Sequence, residues 1–307
     1  MATTAPAVVH GFEFFKKTVE ESSGGTLKVD IYPGEQAGKA LQMWDLVKAG
    51  AVDLGDFATG YVSSDKLPLI GVLELPGMHA DLCALTEQMQ KLTGVGGAIY
   101  ESELKPQGMR VLAVLPYPPY GPSASRVEID SVDDLQGLKT RNAGGLMELT
   151  VAALGGVPVK MTAPEIYQSL QRGTLDAVLL AYLGVTSYDL QSVAGFGTTG
   201  YSFGNPGDIL GISERKFQSL TPEQQQVLID AGQQTAMNWC KAALGEEEAS
   251  MEKVRAAGMK IHEWTPEQVD ELNEKTKSVA ENWASTLDSR GKPASEVMNT
   301  LKAALTN

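Results

Sequence analysis

An arginine at the junction of a strand and a glycine-bearing loop is the side chain in this sequence best suited to hold a ligand. Arg141 follows residues 138–140, which are typical of a strand, and precedes residues 142–145, Asn-Ala-Gly-Gly, which are typical of a loop. A planar guanidinium donates two parallel hydrogen bonds to a carboxylate, a geometry that lysine does not reproduce. Arg141 is therefore a candidate carboxylate-binding residue, although an arginine in such a place often forms only a surface ion pair.

Motifs that usually carry catalysis are missing from the sequence. It contains no phosphate loop with Gly-Lys-Ser/Thr and no Gly-x-Ser-x-Gly nucleophile motif. The glycines of residues 94–97 do not complete a dinucleotide-binding motif, and we interpret them as a loop that ends a helix. Asp133 and Asp134 fit a helix cap better than a pair of catalytic acids. We therefore expect a protein that is not an enzyme and that uses no cofactor.

Histidines and cysteines do not have the spacing of a metal site. His10, His79 and His262 have neither a His-x-x-x-His partner nor a neighbouring cysteine, so we expect no bound metal. The two cysteines, Cys83 and Cys240, lie far apart in the sequence. A disulfide between them is one alternative, but we expect two buried thiols, since a single pair of cysteines says little about the redox compartment.

Composition and charge exclude several kinds of partner. A chain of 307 residues with 43% hydrophobic and 21% charged side chains predicts a soluble globular protein of two lobes or domains. Its formal net charge of −13 disfavours nucleic acid and anionic membranes as partners. An anionic ligand would then need a local cationic group. No apolar run in the sequence is long enough to cross a bilayer.

Two segments of similar order predict two α/β lobes. In the first, residues 27–33 are strand-like, a helical stretch ends at Gly50, and residues 52–54 resume a strand pattern. Residues 157–178 repeat this order, with Gly173 at the end of the helix. A glycine suits both helix ends because the left-handed conformation costs it little.

Other segments predict the connections between the lobes. Residues 109–122 begin as a strand and become proline-rich, which favours an edge or crossing segment because proline cannot donate to a strand ladder. Residues 198–212 are a second candidate crossing. A long helix is predicted from Pro222, with Thr221 as its N-cap, to about Ala257, which is far enough to span both lobes.

Several stretches, taken together and in order, resemble the extracytoplasmic solute-binding subunits of TRAP transporters, the tripartite ATP-independent periplasmic carriers. The similar stretches are residues 14–25, 32–38, 48–53, 131–141, 154–161, 164–176 and 220–225. The resemblance covers nearly the whole chain. It implies an α/β fold of the two-lobed periplasmic-binding-protein clamshell type, with crossing hinge strands, a long helix spanning both lobes, and Arg141 as the carboxylate clamp.

The resemblance also implies a division of the chain, a location and partners. We expect residues 1–116 and 203–235 in lobe I and residues 117–202 and 236–307 in lobe II. The expected partners are a small organic acid and the membrane permease subunits of a TRAP transporter, with the protein itself a monomer. The N-terminal residues lack the pattern of a secretory signal, so the expected periplasmic location depends on the resemblance.

Departures from the family pattern bear on the identity of the acid. The sialic-acid branch of the family has a second arginine on the hinge segment, and Tyr120 occupies that place here. Where many members have a polar Gly-Gln-Glu-Asn after the aspartate, this chain has Asp176 followed by the largely apolar residues 177–182. We therefore expect a pocket that is less polar on this side and a ligand other than a sialic acid.

The expected ligand-binding residues beside Arg141 are aromatic or aliphatic: Phe57, Tyr61, Tyr120, Leu180, Tyr182 and Phe203. Each aromatic residue could equally serve ordinary packing, which the sequence leaves open. Such walls favour a monocarboxylate with an apolar or aromatic body, because a hydroxyl-rich sugar acid needs polar partners that these side chains do not supply.

Three readings of the function remain open at this point. The first is a binding protein that delivers an organic acid to a membrane carrier. The second is a sensory or scaffold protein with the same clamshell fold, which signals to a partner whether the ligand is bound. The third is an enzyme on the same architecture, since a fold alone does not determine a function.

Overall fold

Two β-sheets organise the chain in the computed structural model, which describes residues 6–78 and 81–305. The strands are β1 (Leu54–Ala58), β2 (Met109–Pro116), β3 (Gly121–Ala124), β4 (Lys139–Asn142), β5 (Val157–Lys160), β6 (Ala177–Leu180), β7 (Phe196–Thr199), β8 (Gly207–Ser213) and β9 (Lys260–Glu263). The α-helices are α1 (Glu13–Ser22), α2 (Met43–Ala49), α3 (Thr59–Val62), α4 (Leu82–Thr93), α5 (Leu146–Ala153), α6 (Ile166–Arg172), α7 (Tyr182–Ser187), α8 (Glu214–Gln218), α9 (Pro222–Ala256), α10 (Pro266–Ser289) and α11 (Ala294–Leu305). Short 3₁₀ or π segments lie at Ala7–Phe12, Ala40–Gln42, Pro68–Glu74, Tyr100–Leu104, Lys105–Gln107, Val132–Leu135, Ala163–Glu165 and Leu190–Ser192.

Each lobe is built around one of the sheets. Lobe I holds a three-stranded antiparallel sheet in the order β1-β8-β2. Lobe II holds a six-stranded mixed sheet in the order β5-β4-β6-β3-β7-β9, in which β4 runs parallel to both of its neighbours. The predicted α/β clamshell of two lobes is confirmed.

Two extended segments carry the chain from one sheet to the other. Residues 117–120 join β2 to β3, and residues 200–206 join β7 to β8. The segments are hydrogen-bonded to each other: the Tyr120 amide donates to the Gly204 carbonyl, and the Phe203 amide donates to the Tyr120 carbonyl, each at 2.9 Å. The predicted crossing strands are therefore confirmed, and Tyr120 lies where they meet.

Proline placement along the first crossing agrees with the prediction except at one residue. β2, which ends at Pro116, is an edge strand of its sheet. Pro122, in contrast, lies in β3, inside the larger sheet. The sheet tolerates it because the ladder from β3 to β7 uses only Ser123 and Ala124, so the missing amide of Pro122 is not needed there.

The long helix α9 is confirmed, with the predicted cap. The Thr221 hydroxyl accepts a hydrogen bond from the Gln224 backbone amide, and the side-chain oxygen of Gln224 accepts one from the Thr221 backbone amide. α9 packs against α1, α4 and β2 of lobe I and against α7 of lobe II, so it spans both lobes. Within the described ranges, neither α9 nor any other helix has a stretch apolar and long enough for a membrane span.

Cys83 on α4 and Cys240 on α9 form a disulfide, so the expectation of two buried thiols was wrong. The two residues are 157 positions apart in the sequence, and only the packing of α4 on α9 brings their Cα atoms to 5.1 Å. The spacing of the two cysteines in the sequence does not predict that packing. The bridge fastens the long helix to lobe I.

The predicted pair of β–α–β segments is correct for the second segment and only partly for the first. β5, α6 and β6 appear in the predicted order, and both helix-ending glycines adopt the left-handed conformation, with φ of 78° at Gly50 and 72° at Gly173. Residues 27–33, however, form no strand. The amide of Val29 donates to the Glu20 carboxylate on α1 instead of to a neighbouring strand.

The C-terminal helices contact both lobes. α10 packs against α5 of lobe II, whereas α11 packs against α4 and the Pro68–Glu74 segment of lobe I. Two polar contacts tie this region to lobe I: the Trp283 indole donates to the Pro68 carbonyl at 3.1 Å, and Lys292 pairs with the buried carboxylate of Glu103 at 2.6 Å. The proposed lobe boundaries at residues 116, 202 and 235 stay a prediction.

Candidate functional site

A cavity of about 130 Å³ lies between the lobes, beside the crossing segments. The end of β1 and the start of α3 line it from lobe I, and β4, the end of β6 and α7 line it from lobe II. The crossing segments contribute Tyr117, Tyr120 and Pro206, and the start of β8 contributes Gly207 and Asp208. The cavity is therefore placed so that a movement of one lobe relative to the other would open or close it.

Arg141 occupies a position inside the larger sheet, with its side chain lining the cavity. β4 lies between β5 and β6, and Arg141 is paired with Val159 on one side and Val178 on the other. The residue is only 2% exposed, and its Nε donates to the Met161 carbonyl at 2.9 Å. Within the described parts of the chain, Arg141 forms no ion pair. A buried guanidinium in this state favours an anion from outside the protein.

Three tyrosines share the cavity with Arg141. Tyr61, Tyr120 and Tyr188 line the cavity, and burial raises the pKa of each phenol. The positive charge of Arg141 lowers each of these pKa values, whereas the negative charge of Asp208 raises them. All three rings therefore lie within electrostatic reach of both the cation and the acid.

Two aspartates face the cavity from neighbouring strands of lobe I. Ala58 on β1 is paired with Asp208 on β8, and Asp56 lies two residues before Ala58, so both carboxyls are on the same face of the sheet. Asp208 is 3% exposed, and its Oδ2 accepts a hydrogen bond from the Tyr117 hydroxyl at 2.7 Å. The Oδ1 atom of Asp56 is enclosed and has no hydrogen-bond partner among the described residues.

Burial controls the protonation of this aspartate pair. It raises the pKa of Asp208 to about 6, although the bond from Tyr117 opposes the shift. Burial, together with the neighbouring charge of Asp208, raises the pKa of Asp56 well above its usual range. The two carboxyls therefore titrate as an interacting pair, in which burial favours the neutral form of each.

Four of the seven residues predicted to bind ligand line the cavity: Arg141, Tyr61, Tyr120 and Leu180. The structure places the other three in the protein core. Phe57 is on the opposite face of β1 from Asp56 and packs on Trp44, with ring centroids 5.2 Å apart. Phe203 packs edge-on against Tyr201, and the Tyr182 hydroxyl donates to the Thr198 carbonyl at 2.9 Å.

Sequence reasoning missed the two acids of the lobe I wall, Asp56 and Asp208, and two further cavity residues, Tyr117 and Tyr188. Side chains alternate across a strand, so choosing Phe57 as a wall residue excluded its neighbour Asp56 from the same face. A lone carboxylate at the start of the apolar strand β8 was a usable indication for Asp208. The pairing of β1 with β8, which brings the two acids together, is not visible in the sequence.

Two contacts join the lobes, and the first of them is made by residues that line the cavity. Gly60 of α3 approaches Ala143 of the loop after β4 so closely that a Cβ on Gly60 would lie 2.8 Å from the Ala143 Cβ. Glu74 of lobe I is buried, and its Oε2 accepts a hydrogen bond from the Leu146 amide at the start of α5, at 2.8 Å. Burial raises the pKa of Glu74 to about 7.

Metal ligands are not grouped anywhere in the described ranges. No set of three or more His, Cys, Asp or Glu side chains in residues 6–78 and 81–305 is arranged to hold a metal ion. His10 contacts the Glu246 carboxylate at 3.2 Å, and His262 contacts the Gln268 side chain at 2.9 Å. His79 lies outside the described residues.

Comparison with known sequences gives a family for this architecture. The family model described as bacterial extracellular solute-binding protein, family 7, also called DctP, matches residues 2–286. A curated relative, the 2,3-diketo-L-gulonate-binding periplasmic protein YiaO of Escherichia coli, is 24% identical over 248 residues, which cover 80% of this chain and 74% of the relative.

Solved structures give the same architecture. A TRAP solute-binding protein from Rhodoferax ferrireducens, in complex with copurified benzoate, matches with a TM-score of 0.87 and 24% identity, covering 100% of this chain and 95% of that one. A TRAP solute-binding protein from a marine metagenome, in complex with metahydroxyphenylacetate, matches with a TM-score of 0.91 and 24% identity, covering 99% and 96%. At such identities the likeness shows the fold and does not identify the ligand of this chain.

Proposed function

The chain belongs to family 7 of the bacterial extracellular solute-binding proteins, and from that membership we propose that it binds a small organic acid between its lobes and delivers the acid to a TRAP membrane transporter. The observation that carries the proposal is Arg141, a buried cation that lines the cavity and has no ion pair in the described chain. The TRAP proteins of known structure that resemble it bind small organic acids.

Arg141 would hold the carboxylate of the ligand through its terminal nitrogens. Its Nε is already bonded to the Met161 carbonyl, which fixes the guanidinium plane and leaves the Nη1 and Nη2 groups for the two carboxylate oxygens. Closing the lobes removes water from this pair and strengthens it, since both charges then lie in a medium of low polarity. Among the described residues the buried Arg141 has no ion-pair partner, and the carboxylate of a bound acid would be one.

For the ligand we propose a monocarboxylate with an apolar or aromatic body. The cavity offers one arginine for one carboxylate, and the rings of Tyr61, Tyr120 and Tyr188 with Leu180 supply flat apolar surface beside it. The relatives bind acids of both kinds: benzoate and metahydroxyphenylacetate are aromatic, whereas 2,3-diketo-L-gulonate is a polar sugar acid. The tyrosine-rich walls favour the aromatic kind.

Delivery implies a location and a partner. Proteins of the DctP family are periplasmic, and we propose that this chain, as a monomer, carries its acid to the permease subunits of a TRAP transporter. No chemistry is assigned to the site, because binding and release are sufficient for this role. The alternative is a sensory or scaffold protein that uses the same clamshell. Deleting the gene for the chain distinguishes the two functions, because acid uptake is lost if the chain delivers the acid and is kept if it is a sensor or scaffold.

A thermal-shift screen with aromatic monocarboxylates, short keto acids, dicarboxylates and uronic acids tests the proposal. A ligand that binds only the folded state raises the Tm, and the shift grows with the logarithm of the ligand concentration relative to its Kd. We expect the largest shifts from aromatic monocarboxylates, and their loss in Arg141→Ala. Lys139→Ala is the matched control, since it removes an exposed cation from the same strand.

Two results would overturn parts of this proposal. A shift that persists in Arg141→Ala would remove the arginine from the binding site. A larger shift with a uronic acid than with any aromatic acid would leave the binding function intact and refute the aromatic ligand.

A further inference from the structure

The aspartate pair of Asp56 and Asp208 has no counterion in the described protein. Neither carboxyl forms an ion pair with a lysine, arginine or histidine of the described ranges, and Arg141, the cation that lines the same cavity, is paired with neither. Burying carboxyl groups without a cation costs folding free energy. Nothing in the packing of β1 on β8 requires this cost, since an apolar pair would fill the same strands.

Hydrogen bonds inside the protein satisfy the pair only in part. The Tyr117 hydroxyl donates to Oδ2 of Asp208, whereas Oδ1 of Asp56 is enclosed without a partner among the described residues. A buried acceptor without a donor is unusual in a folded protein and marks a place where a group is missing. Both residues line the cavity, so a bound molecule can supply that donor.

The cavity therefore has two poles. Arg141 lies on the wall of lobe II, and the aspartates lie on the wall of lobe I. The charges of Arg141 and Asp208 both act on the pKa of the Tyr61 and Tyr120 phenols. A carboxylate seated on Arg141 directs the rest of the molecule along the tyrosines towards the aspartates. An acid with an apolar far end would leave the polar carboxyl groups of the aspartates beside a hydrocarbon surface, which is unfavourable.

We propose that the Asp56–Asp208 pair is a second recognition subsite, and that the acid carries an N–H or O–H donor at the end away from its carboxylate. The inference depends on the proposed binding of an organic acid and narrows its ligand class to hydroxy-aromatic or amino-aromatic acids. Arg141 selects the carboxylate, and the aspartates select the donor. The two poles also fix the direction in which the ligand lies.

Calorimetric titration with a matched series of acids tests the subsite. The probes are benzoates and phenylacetates that carry a methyl, hydroxyl or aminomethyl group at the meta or para ring position. We expect the best donor-bearing acid to bind at least about tenfold more tightly than its methyl counterpart, the effect of one hydrogen bond to a charged group. A preference for aminomethyl identifies an ammonium donor, and a preference for hydroxyl identifies a neutral donor.

Isosteric variants connect the preference to the aspartates. In Asp208→Asn and in Asp56→Asn the donor advantage should fall below about threefold, while the methyl acids bind as well as before or better. Asp53→Asn, which changes an exposed acid just before β1, is the matched control and should keep the full advantage. Circular dichroism and the Tm of the unliganded variants establish that they are folded.

The outcomes separate this inference from the proposed function. Methyl acids that bind as tightly as the donor-bearing ones, or a donor advantage that survives in both aspartate variants, would overturn the subsite and leave acid binding intact. If no acid of the series binds the native protein, or if Arg141→Ala leaves the affinity unchanged, the proposed function is refuted. This inference is then refuted as well.

Discussion

The two walls of the cavity hold their charged groups in different ways. On the lobe II wall, Arg141 lies in the middle of parallel strands, and its Nε is fixed by the Met161 carbonyl. On the lobe I wall, Asp56 and Asp208 lie diagonally across an antiparallel pair, with Tyr117 as their only described hydrogen-bond donor. Both walls leave charge uncompensated within the described chain. The unsatisfied groups, more than the residue types, therefore indicate what the cavity takes up.

The largest expected effect comes from removing the charge of the lobe II wall. Arg141→Met keeps much of the side-chain volume and should lower the affinity for the preferred acid by about 3 to 5 kcal/mol, because the ligand carboxylate then lacks its counterion. The stability of the unliganded protein should be unchanged or higher, because the variant no longer buries an unpaired cation. Calorimetry and urea unfolding measure the two quantities. A variant that loses stability and keeps affinity would mean that Arg141 is a structural residue.

The next effect concerns the disulfide, which joins α4 of lobe I to α9. Replacing both Cys83 and Cys240 with serine removes a bridge that closes a loop of 157 residues, and the loss of such a bridge typically costs about 2 to 5 kcal/mol of stability. Because the bridge is outside the cavity lining, acid affinity at a temperature where the variant is folded should stay within about threefold of the native value. Urea unfolding and calorimetry test this, with the reduced native protein as the control. A large loss of affinity would show that the aspartate wall depends on the bridge.

A third prediction concerns Glu74, which links the walls at the start of α5. Its pKa is raised by burial to about 7, against an ordinary value of 4.5, so the folded state binds this proton more tightly than the unfolded chain does. Stability should therefore fall as the pH rises from about 4.5 to about 7, by about 3 kcal/mol from this group. Lys160 opposes and Glu148 reinforces the shift.

Glu74→Gln isolates that contribution. The amide oxygen can still accept from the Leu146 amide, but the side chain no longer titrates. Urea unfolding between pH 5 and pH 8 should show a flatter stability profile for the variant than for the native protein. Asp208 and Glu247, whose pKa values burial also raises to about 6, keep a smaller slope of the same sign. Parallel profiles would contradict the assignment to Glu74.

The smallest expected effect concerns the contact between the walls. A Cβ on Gly60 would lie 2.8 Å from the Ala143 Cβ, so Gly60→Val should hold the lobes apart and weaken acid binding by about 1 to 2 kcal/mol. Small-angle scattering should show a larger radius of gyration in saturating ligand. Gly245→Ala is the matched control: it has open space inside α9 and should add about 0.5 to 1 kcal/mol of stability with unchanged affinity. Equal affinity in Gly60→Val would show that this contact does not limit closure.

The sequence could predict those features of the fold that are determined by residues close together in the chain. The cap of Thr221, the length of α9 and the glycine ends at Gly50 and Gly173 follow from neighbouring residues, and the structure agrees with each. Arg141 could be proposed as a carboxylate-binding residue because an arginine at a strand end has a distinctive chemistry and because the residues around it resemble the family. The disulfide of Cys83 with Cys240 depends on two elements meeting in space.

The lobe I wall was missed for the same physical reason. Asp56 and Asp208 become a pair only through the register of β1 with β8, and a shift of one residue would turn Phe57 into the cavity instead. An alternating strand offers two faces, and the sequence of β1 does not say which one meets the other lobe. The apolar ligand expected from the sequence therefore took no account of the acids.

The central claim is that Arg141 receives the carboxylate of the ligand while the aspartates receive a donor at its other end. The most direct test is a crystal structure of the protein with the tightest-binding acid of the matched series. We predict both carboxylate oxygens within about 3.2 Å of Nη1 and Nη2 of Arg141, and the donor within the same distance of an Asp208 or Asp56 oxygen. A ligand whose carboxylate lies away from the guanidinium would contradict the account.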